Sequence, residues 1–239
     1  MELATTTWVD AGDGLPDVAL VPTGSVEQHG PHAPLGTDLV IARAVAARAA
    51  TRIDPPVART PAVPVGISEE HRGFDGTLWV EPDTFRAYVR DVVESLASHG
   101  VEGVVLVNGH GGNVAALEEV AARLTRDGTC RATAFTWFDA LADPPAPMGH
   151  GGPLETAALL AIDPDLVHAD RLAAAAAHAG DRWGAWIAGT NLAVDVDEFS
   201  ENGVVGDPRA ASADRGEALL AEAVDGLEAV VAGVRERLA

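Results

Sequence analysis

Residues 103–107 constrain the fold more than any other segment of this sequence. They read Gly-Val-Val-Leu-Val, a continuous apolar and largely β-branched run with a further glycine at position 109. A strand with one wet face alternates apolar and polar residues, whereas an unbroken apolar run is typical of a strand covered on both faces. Strands of that kind occur in mostly parallel sheets, so the run predicts an α/β fold.

Strand-like and helix-like segments alternate along the rest of the chain. Further strands are predicted at residues 18–22, 62–67 and 131–137. Helical spacing of apolar residues, with caps at the ends, predicts helices at residues 37–49, 81–99, 114–126, 153–162 and 208–239. This order predicts a three-layer α/β/α sandwich with a mostly parallel central sheet. Because no linker divides the chain, we expect a single domain over residues 1–239.

The net charge and the cysteine content of the chain indicate which partners it can bind and in which compartment it is located. The formal net charge is −20, and such a surface repels phosphate backbones and anionic lipid. No apolar run reaches the roughly 18 residues of a membrane-spanning helix, and residues 1–10 lack the pattern of a secretory signal. Cys130, the single cysteine, has no partner for an intrachain disulfide. We therefore expect a cytoplasmic protein that binds neither nucleic acid nor membranes.

The first candidate ligand segment spans residues 24–38. Glu27 and His29 are two positions apart, so in an extended loop their side chains project to the same side. Asp38 follows a Pro/Gly-rich turn at the start of a predicted helix. Carboxylate oxygen and imidazole nitrogen are ligands of divalent cations, which favours a partial metal site. The alternative is an acidic surface loop with a solvated histidine, since the spacing is not that of a zinc finger.

The second candidate segment, Asn-Gly-His-Gly-Gly-Asn at residues 108–113, follows the buried strand directly. Three glycines around His110 cost stability, which indicates that the backbone there serves a ligand. The alternatives are a simple glycine-rich turn or a phosphate-binding loop at a helix N-terminus. The segment lacks the Lys and Ser/Thr of a nucleotide P-loop, so we interpret His110 as a metal ligand.

The third candidate segment, His-Gly-Gly-Pro-Leu-Glu-Thr, covers residues 150–156. Pro153 suits a first helical turn, which puts Glu155 in that turn. Glu155 is therefore either a ligand or an ordinary carboxylate at a helix N-terminus, and His150 is either a general acid/base or a surface residue. Because ligands bind beyond the carboxyl ends of parallel strands, we expect the three segments to converge at one sheet edge.

Two further pairs of side chains carry weaker signals. Glu70 and His71 lie in the irregular stretch 68–80, and we interpret them as substrate-binding residues that line a pocket. Trp183 and Trp186 stand at helical spacing, which is more typical of a core or an interface than of a substrate-binding surface.

The motifs together resemble the creatininase (creatinine amidohydrolase) family. They are Ser-Val-Glu-Gln-His-Gly-Pro-His, Gly-Thr-Asp, Glu-His-x-x-Phe-x-Gly-Thr, Asn-Gly-His-Gly-Gly-Asn and His-Gly-Gly-x-x-Glu-Thr, in this order within residues 18–208. The resemblance implies a two-metal centre with the following roles. Glu27 and His29 would each bind one ion, Asp38 would bridge both, and His110 and Glu155 would complete the two ligand sets.

The resemblance also implies chemistry and assembly. His150 matches the catalytic histidine of the family, and hydrolysis of an amide C–N bond would use it to pass a proton to the leaving nitrogen. Glu155 is expected to contribute to catalysis as well as to metal binding. The mixed oxygen and nitrogen ligands suit Zn, Fe(II) and Mn alike. The family commonly forms hexamers, so we expect a homo-oligomer.

One difference from the family motifs limits which substrates are expected. Creatinine-hydrolysing members carry a glutamate where this chain has Gly112, which argues against creatinine. The chain is more similar to the branch that serves mycofactocin maturation, which shares an ending like Ser-Glu-x-Gly-Val-x-Gly-Asp-Pro at residues 200–208. The implied function is a peptidase that releases a C-terminal Val-Tyr-derived unit from the modified precursor peptide. The alternatives are a creatininase-like cyclic amide hydrolase, a formamidopyrimidine deformylase and a non-catalytic metal-binding scaffold.

Overall fold

Four parallel strands form the central sheet of the computed structural model, which describes residues 1–142 and 149–238. In sheet order they are β2 (Ala58–Arg59), β1 (Val18–Thr23), β3 (Gly103–Asn108) and β4 (Arg131–Thr136). Residues 143–148, predicted as part of a Pro/Gly-rich loop before His150, lie outside the described residues. The predicted α/β fold with a parallel sheet is confirmed.

Seven α-helices accompany the sheet in the described part of the chain. They are α1 (Trp8–Gly12), α2 (Thr37–Ala50), α3 (Pro82–Ser98), α4 (Val114–Arg126), α5 (Pro153–Ile162), α6 (Leu172–Ala177) and α7 (Ala213–Arg235). A short antiparallel hairpin, β5 (Trp186–Ile187) and β6 (Thr190–Asn191), precedes α7. No helix among the described residues is both long and apolar enough to cross a membrane.

The side chains of β3 explain why its sequence is apolar throughout. Val105 and Val107 point into one core, which α2, α5 and α7 cover. Val104 and Leu106 point into a second core, which α3 and α4 cover. Successive residues of a strand face opposite sides, so a strand between two helical layers needs apolar residues at every position. The two cores give the three layers expected from the sequence.

The strand predicted at residues 62–67 was wrong. Only Val63 forms a bridge with β1, at Thr23, and the edge strand is instead the two-residue β2. Proline has no N–H to donate to a neighbouring strand, and Pro61 and Pro64 interrupt the segment. The apolar composition there reflects burial of Val63 rather than a regular ladder. The expectation of a single domain over residues 1–239 stays a prediction.

The sheet places its functional loops side by side. Thr23 at the end of β1 pairs with Asn108 at the end of β3, and Asn108 pairs with Thr136 at the end of β4. The loops that leave these strands therefore start at the same edge of the sheet. This is the carboxyl edge, where parallel α/β sheets bind their ligands.

Candidate functional site

Two asparagines hold the loops after β1 and β3 together at this edge. Asn108 accepts a hydrogen bond from His110 N at 3.1 Å and donates from Nδ2 to His110 O at 2.7 Å. Asn113 donates from Nδ2 to Gly24 O at 3.1 Å and accepts from Ile67 N at 3.0 Å. These side chains satisfy backbone groups that a glycine-rich turn leaves unpaired, so the loop conformation is specified.

Asp38, in the first turn of α2, lies between two histidines. Its Oδ1 is 3.1 Å from His29 Nε2, and its Oδ2 is 3.3 Å from His110 Nδ1. All three side chains are buried. The structure thus brings together residues that follow two different strands, with each oxygen of one carboxylate facing a different imidazole.

Two more carboxylates complete the cluster, one on each side of Asp38. Glu27 Oε1 lies 3.1 Å from His110 Nδ1, and Glu155 Oε1 lies 3.6 Å from His29 Nε2. Potential ligand atoms of Glu27, Asp38 and His110 all lie within 4.8 Å of one another. The same spacing holds for His29, Glu155 and His150. The five predicted metal ligands therefore converge on one place.

Hydrogen bonds determine which ring nitrogen of each histidine faces the carboxylates as an acceptor. His29 Nδ1 lies 3.1 Å from Glu27 O, and His110 Nε2 lies 2.6 Å from Ile67 O. A carbonyl oxygen only accepts, so in the neutral rings these nitrogens carry the hydrogen. His29 Nε2 and His110 Nδ1 then present lone pairs to the carboxylates. This backbone support is the usual arrangement behind histidines that bind a metal.

The electrostatics of the cluster require positive charge. Both oxygens of Glu27 and Oδ2 of Asp38 are buried and have no hydrogen-bond partner among the described residues. Burial raises the pKa of Glu27 to about 7. Burial acts to lower the pKa of His29, but Asp38 and Glu155 outweigh it and raise that pKa well above its ordinary value. Carboxylates that face one another in this way bind either protons or cations.

Divalent cations fit this donor set. No lysine or arginine is among the described residues that line the cavity above the cluster, so no side chain supplies a permanent positive charge there. The available atoms are carboxylate oxygens and imidazole lone pairs, which suit Zn, Fe(II) or Mn. The buried clusters are consistent with a binuclear metal site.

His150 lies at the same edge, in the segment before α5. Its Nε2 is 2.6 Å from Gln28 O, and its Nδ1 faces Glu27 Oε1 at 3.9 Å. Main-chain hydrogen bonds between His150 and Val205, at 3.0 and 2.7 Å, hold the segment in place. Burial and the neighbouring His29 lower the pKa of His150 to about 4, so the ring is neutral at pH 7.

A cavity of about 330 Å³ opens over the cluster. Glu70 and His71, both expected to bind substrate, line it. His71 is fully buried, whereas Glu70 is partly exposed, and burial raises the pKa of the Glu70 carboxyl. Phe138 and Trp183 add aromatic surface to the same cavity.

The structure shows why position 112 is a glycine. A Cβ built there would collide with the carbonyl oxygen of Ile67 and with the ring of His110, and would lie 3.2 Å from Glu70 Oε1. The Ile67 carbonyl is the group that accepts from His110 Nε2. A larger residue at position 112 therefore needs a different path for the chain near Ile67.

Two residues of the site were missed or misinterpreted from the sequence. Trp183 lies beyond the end of α6 in a non-helical segment, 5.8 Å between ring centroids from both His71 and His150. The helical spacing assumed for Trp183 and Trp186 was therefore wrong: Trp183 lines the cavity, and Trp186 is exposed on the hairpin. A role of these tryptophans in an interface stays a prediction. Gln28 received no role, although it lies between Glu27 and His29 and is buried beside both His71 and His150. Its position within the ligand segment was the available signal.

Comparisons with known proteins agree with this geometry. Residues 4–231 match the family model of creatininase, described as creatinine amidohydrolase. The chain is 38% identical over 214 residues to a mycofactocin precursor peptide peptidase of Mycolicibacterium smegmatis, covering 87% of this chain and 82% of that protein. The corresponding peptidase of Mycobacterium ulcerans is 37% identical over 235 residues, covering 94% and 88%.

Solved structures of creatininases have the same fold. A manganese creatininase superimposes with a TM-score of 0.79 at 26% identity, covering 96% of both chains. A creatininase variant described as Zn-Zn type superimposes with a TM-score of 0.78 at 27% identity, again over 96% of both chains.

Proposed function

This chain belongs to the creatininase family, and on that premise we propose that it is the metal-dependent peptidase acting on the mycofactocin precursor peptide. The reaction is hydrolysis of an amide C–N bond, which releases the C-terminal Val-Tyr-derived unit implied by the motifs. The observation that carries the proposal is Asp38, whose two oxygens face His29 and His110 at the carboxyl edge of the sheet. The peptidase relatives, which match most of the chain, favour a peptide over creatinine.

The metal ligands follow from the two halves of the cluster. Glu27, Asp38 and His110 would hold one divalent cation. His29 and Glu155, with the second oxygen of Asp38, would hold the other. Bound cations of this type polarise an amide carbonyl and lower the pKa of water toward neutrality, which supplies a nucleophile at pH 7.

His150 is the residue that moves the proton. Its Nε2–H donates to Gln28 O, so Nδ1 has a free lone pair on the side of Glu27 and the cavity. Nδ1 accepts the proton that the attacking water loses and then donates it to the leaving nitrogen, which completes the hydrolysis. Glu155 keeps its place through the hydrogen bond that its Oε2 accepts from Gly151 N at 2.6 Å.

The residues that line the cavity bind the substrate. Trp183 and Phe138 offer apolar faces that suit a tyrosine-derived ring. Glu70 and His71 add polar groups to the same cavity, and no lysine or arginine is among its described lining residues. The volume of about 330 Å³ is in the range of small-ligand sites, so we propose that only the C-terminal unit enters.

A direct product analysis tests the function. The metal-loaded protein is incubated with the modified precursor peptide and, separately, with creatinine. The masses of the products are measured by mass spectrometry. We expect the C-terminal fragment from the peptide and no product from creatinine. Asp38→Asn protein is the matched control for contaminating peptidases. Two bound ions without hydrolysis of the peptide, creatinine or a formamidopyrimidine would favour a non-catalytic scaffold.

We further propose a cytoplasmic homo-oligomer. The family resemblance implies a hexamer, and the single cysteine, Cys130, leaves the chain without an intrachain disulfide of the kind common in secreted proteins. Native mass spectrometry of the metal-loaded protein measures the assembly. A monomer at micromolar concentration would contradict the predicted oligomer.

A further inference from the structure

Gln28 is tied by both ends of its side chain to backbone groups of known polarity. Its Oε1 accepts from Gly30 N at 2.9 Å, and its Nε2 donates to Gly203 O at 3.0 Å. A backbone N–H only donates and a carbonyl only accepts, so the orientation of the amide is determined. The same Nε2 lies 2.8 Å from His71 Nδ1. Since this nitrogen has hydrogens and no lone pair to offer, His71 Nδ1 is the acceptor.

The hydrogen of His71 is therefore on Nε2. A ring whose Nδ1 accepts a hydrogen bond has no hydrogen on that atom, so its one hydrogen is on Nε2. Nε2 is buried, has no hydrogen-bond partner among the described residues, and lies 3.4 Å from Glu27 Oε1. An N–H in this position donates to anionic oxygen and has no lone pair for a cation.

The main chain of Gln28 has the opposite effect on His150. Its carbonyl oxygen accepts from His150 Nε2 at 2.6 Å, so the lone pair of that ring is on Nδ1. The rings of His71 and His150 lie 4.4 Å apart between centroids. Gln28 thus gives the two adjacent rings opposite hydrogen-bonding roles on the side of Glu27. His71 presents an N–H donor there, and His150 presents a lone pair.

The segment 200–208 maintains this arrangement. Gly203 has φ +80, and a Cβ there would collide with the Gln28 amide that donates to its carbonyl. Val205 pairs with the backbone of His150. The motif at residues 200–208, none of which is among the described lining of the cavity, therefore holds Gln28 and His150 in position.

We propose that Gln28 is a positioning residue that makes His71 an N–H donor to the oxygen of the scissile carbonyl as negative charge develops on it. This inference rests on the proposed hydrolysis. Among the described residues, Glu27, His71 and His150 form one of the groups that could hold a metal ion, and in this arrangement His71 binds no cation. The Nε2–H of His71 instead acts as an oxyanion-hole donor. Loss of one such donor lowers kcat about 10²–10³-fold.

Imidazole NMR of the zinc-loaded holoenzyme tests the proposal independently of the substrate. Histidine rings are isotope-labelled, and the His71 signal is assigned by its loss in His71→Asn protein. We expect a neutral, metal-free His71 ring with its hydrogen on Nε2. In Gln28→Glu protein the carboxylate accepts from Nδ1–H, so the hydrogen should move to Nδ1. A His71 ring that binds zinc, or carries its hydrogen on Nδ1 in the unmodified protein, overturns the inference.

Kinetics on the same proteins separate positioning from folding. We expect Gln28→Glu to lower kcat about 10²-fold with KM little changed and both ions bound, and Gln28→Met to lie between this variant and the unmodified enzyme. His99→Gln, which replaces an exposed histidine at the end of α3, is the matched control and should change neither kcat nor the His71 signal. Unchanged kcat in Gln28→Glu protein with a reversed tautomer would contradict the donor role. Absence of peptide cleavage in unmodified protein with the expected tautomer would count against the peptidase alone.

Discussion

Asp38 Oδ2 lies 3.3 Å from His110 Nδ1, although Asp38 lies in the first turn of α2 and His110 follows β3. The two residues are close because β1 and β3 are neighbours in the sheet and end in register. The second oxygen of Asp38 faces His29 in turn. A carboxylate held between two imidazoles joins both halves of the proposed metal centre, and this relationship is the basis of the predictions below.

Replacing Asp38 tests the bridge. Asp38→Asn keeps the size of the side chain and removes one anionic oxygen, so both halves of the site lose charge. We expect the purified protein to lose bound metal and activity together, as measured by elemental analysis and peptide cleavage. Asp83→Asn, at an exposed position of α3, should keep both. A fully metallated and active Asp38→Asn protein would show that the bridge is misassigned.

Adjacent glycines offer a matched test of His110. A side chain at Gly112 would collide with Ile67 O and the His110 ring, whereas one at Gly111 meets nothing within 4 Å. Gly112→Ala should therefore disturb the His110–Ile67 hydrogen bond and weaken metal binding by roughly 10–100-fold, the usual effect of losing such support. Gly111→Ala should bind metal normally in the same competition titration. Equal affinities in the two variants would exclude the steric explanation of Gly112.

His150 is expected to act on the proton rather than on the metal. His150→Gln should lower kcat by roughly 10²–10⁴-fold while metal content stays full. Because a nitrogen of His150 lies near His29 and Glu155, metal content measured alongside kcat is the deciding quantity. Loss of one ion in this variant would make His150 a ligand, and unchanged turnover would remove it from the mechanism.

Glu70 should affect substrate affinity more than turnover. Its carboxylate lines the cavity beside Gly112 but is not part of the ligand cluster. A hydrogen bond to a charged group contributes about 1.5–3 kcal/mol, so Glu70→Gln should raise KM for the peptide by roughly tenfold or more. Glu69→Gln, at the exposed neighbouring position, is the control. A fall in kcat at unchanged KM would instead assign Glu70 to the chemical step.

One ion pair distant from the site predicts a pH dependence of stability. Arg235 donates to both oxygens of Asp17, at 3.0 and 2.8 Å, and this hydrogen bonding holds the pKa of Asp17 below its ordinary value of 3.8. A lowered folded-state pKa means that the pair stabilises the fold above pH 3.8 and that the contribution disappears as the pH falls through the lower value.

Arg235→Met measures that contribution. Because Asp17 is 38% exposed, we expect the free energy of unfolding to fall by at most about 1 kcal/mol at pH 7. The difference should vanish in strongly acidic solution, where Asp17 is protonated in both states. Denaturant titrations at the two pH values give the numbers, with Arg209→Met, which removes an exposed local pair with Asp207, as the control. A deficit that persists in acid would reflect packing of the arginine stem instead.

Local patterns in the sequence predicted most of the elements. The apolar run of β3 and the apolar stripe of α4 are each readable within one segment, because burial on two faces or on one face leaves a distinct periodicity. The strand predicted at residues 62–67 was wrong because Pro64 within it and Pro61 just before it cannot donate to a neighbouring strand. The helical spacing assumed for Trp183 and Trp186 was wrong because their segment is not a helix.

The sequence by itself determined the fold class and which side chains can bind a cation, since periodicity and residue chemistry are properties of short segments. Only the tertiary structure decided which of these side chains meet, which nitrogen of each histidine carries its hydrogen, and that Gln28 controls two of them. The reason is physical. Tautomers and shared ligands depend on hydrogen-bond partners such as Ile67 O and Gly203 O, which are backbone atoms from distant segments, and a backbone atom has no signature in the identity of its residue.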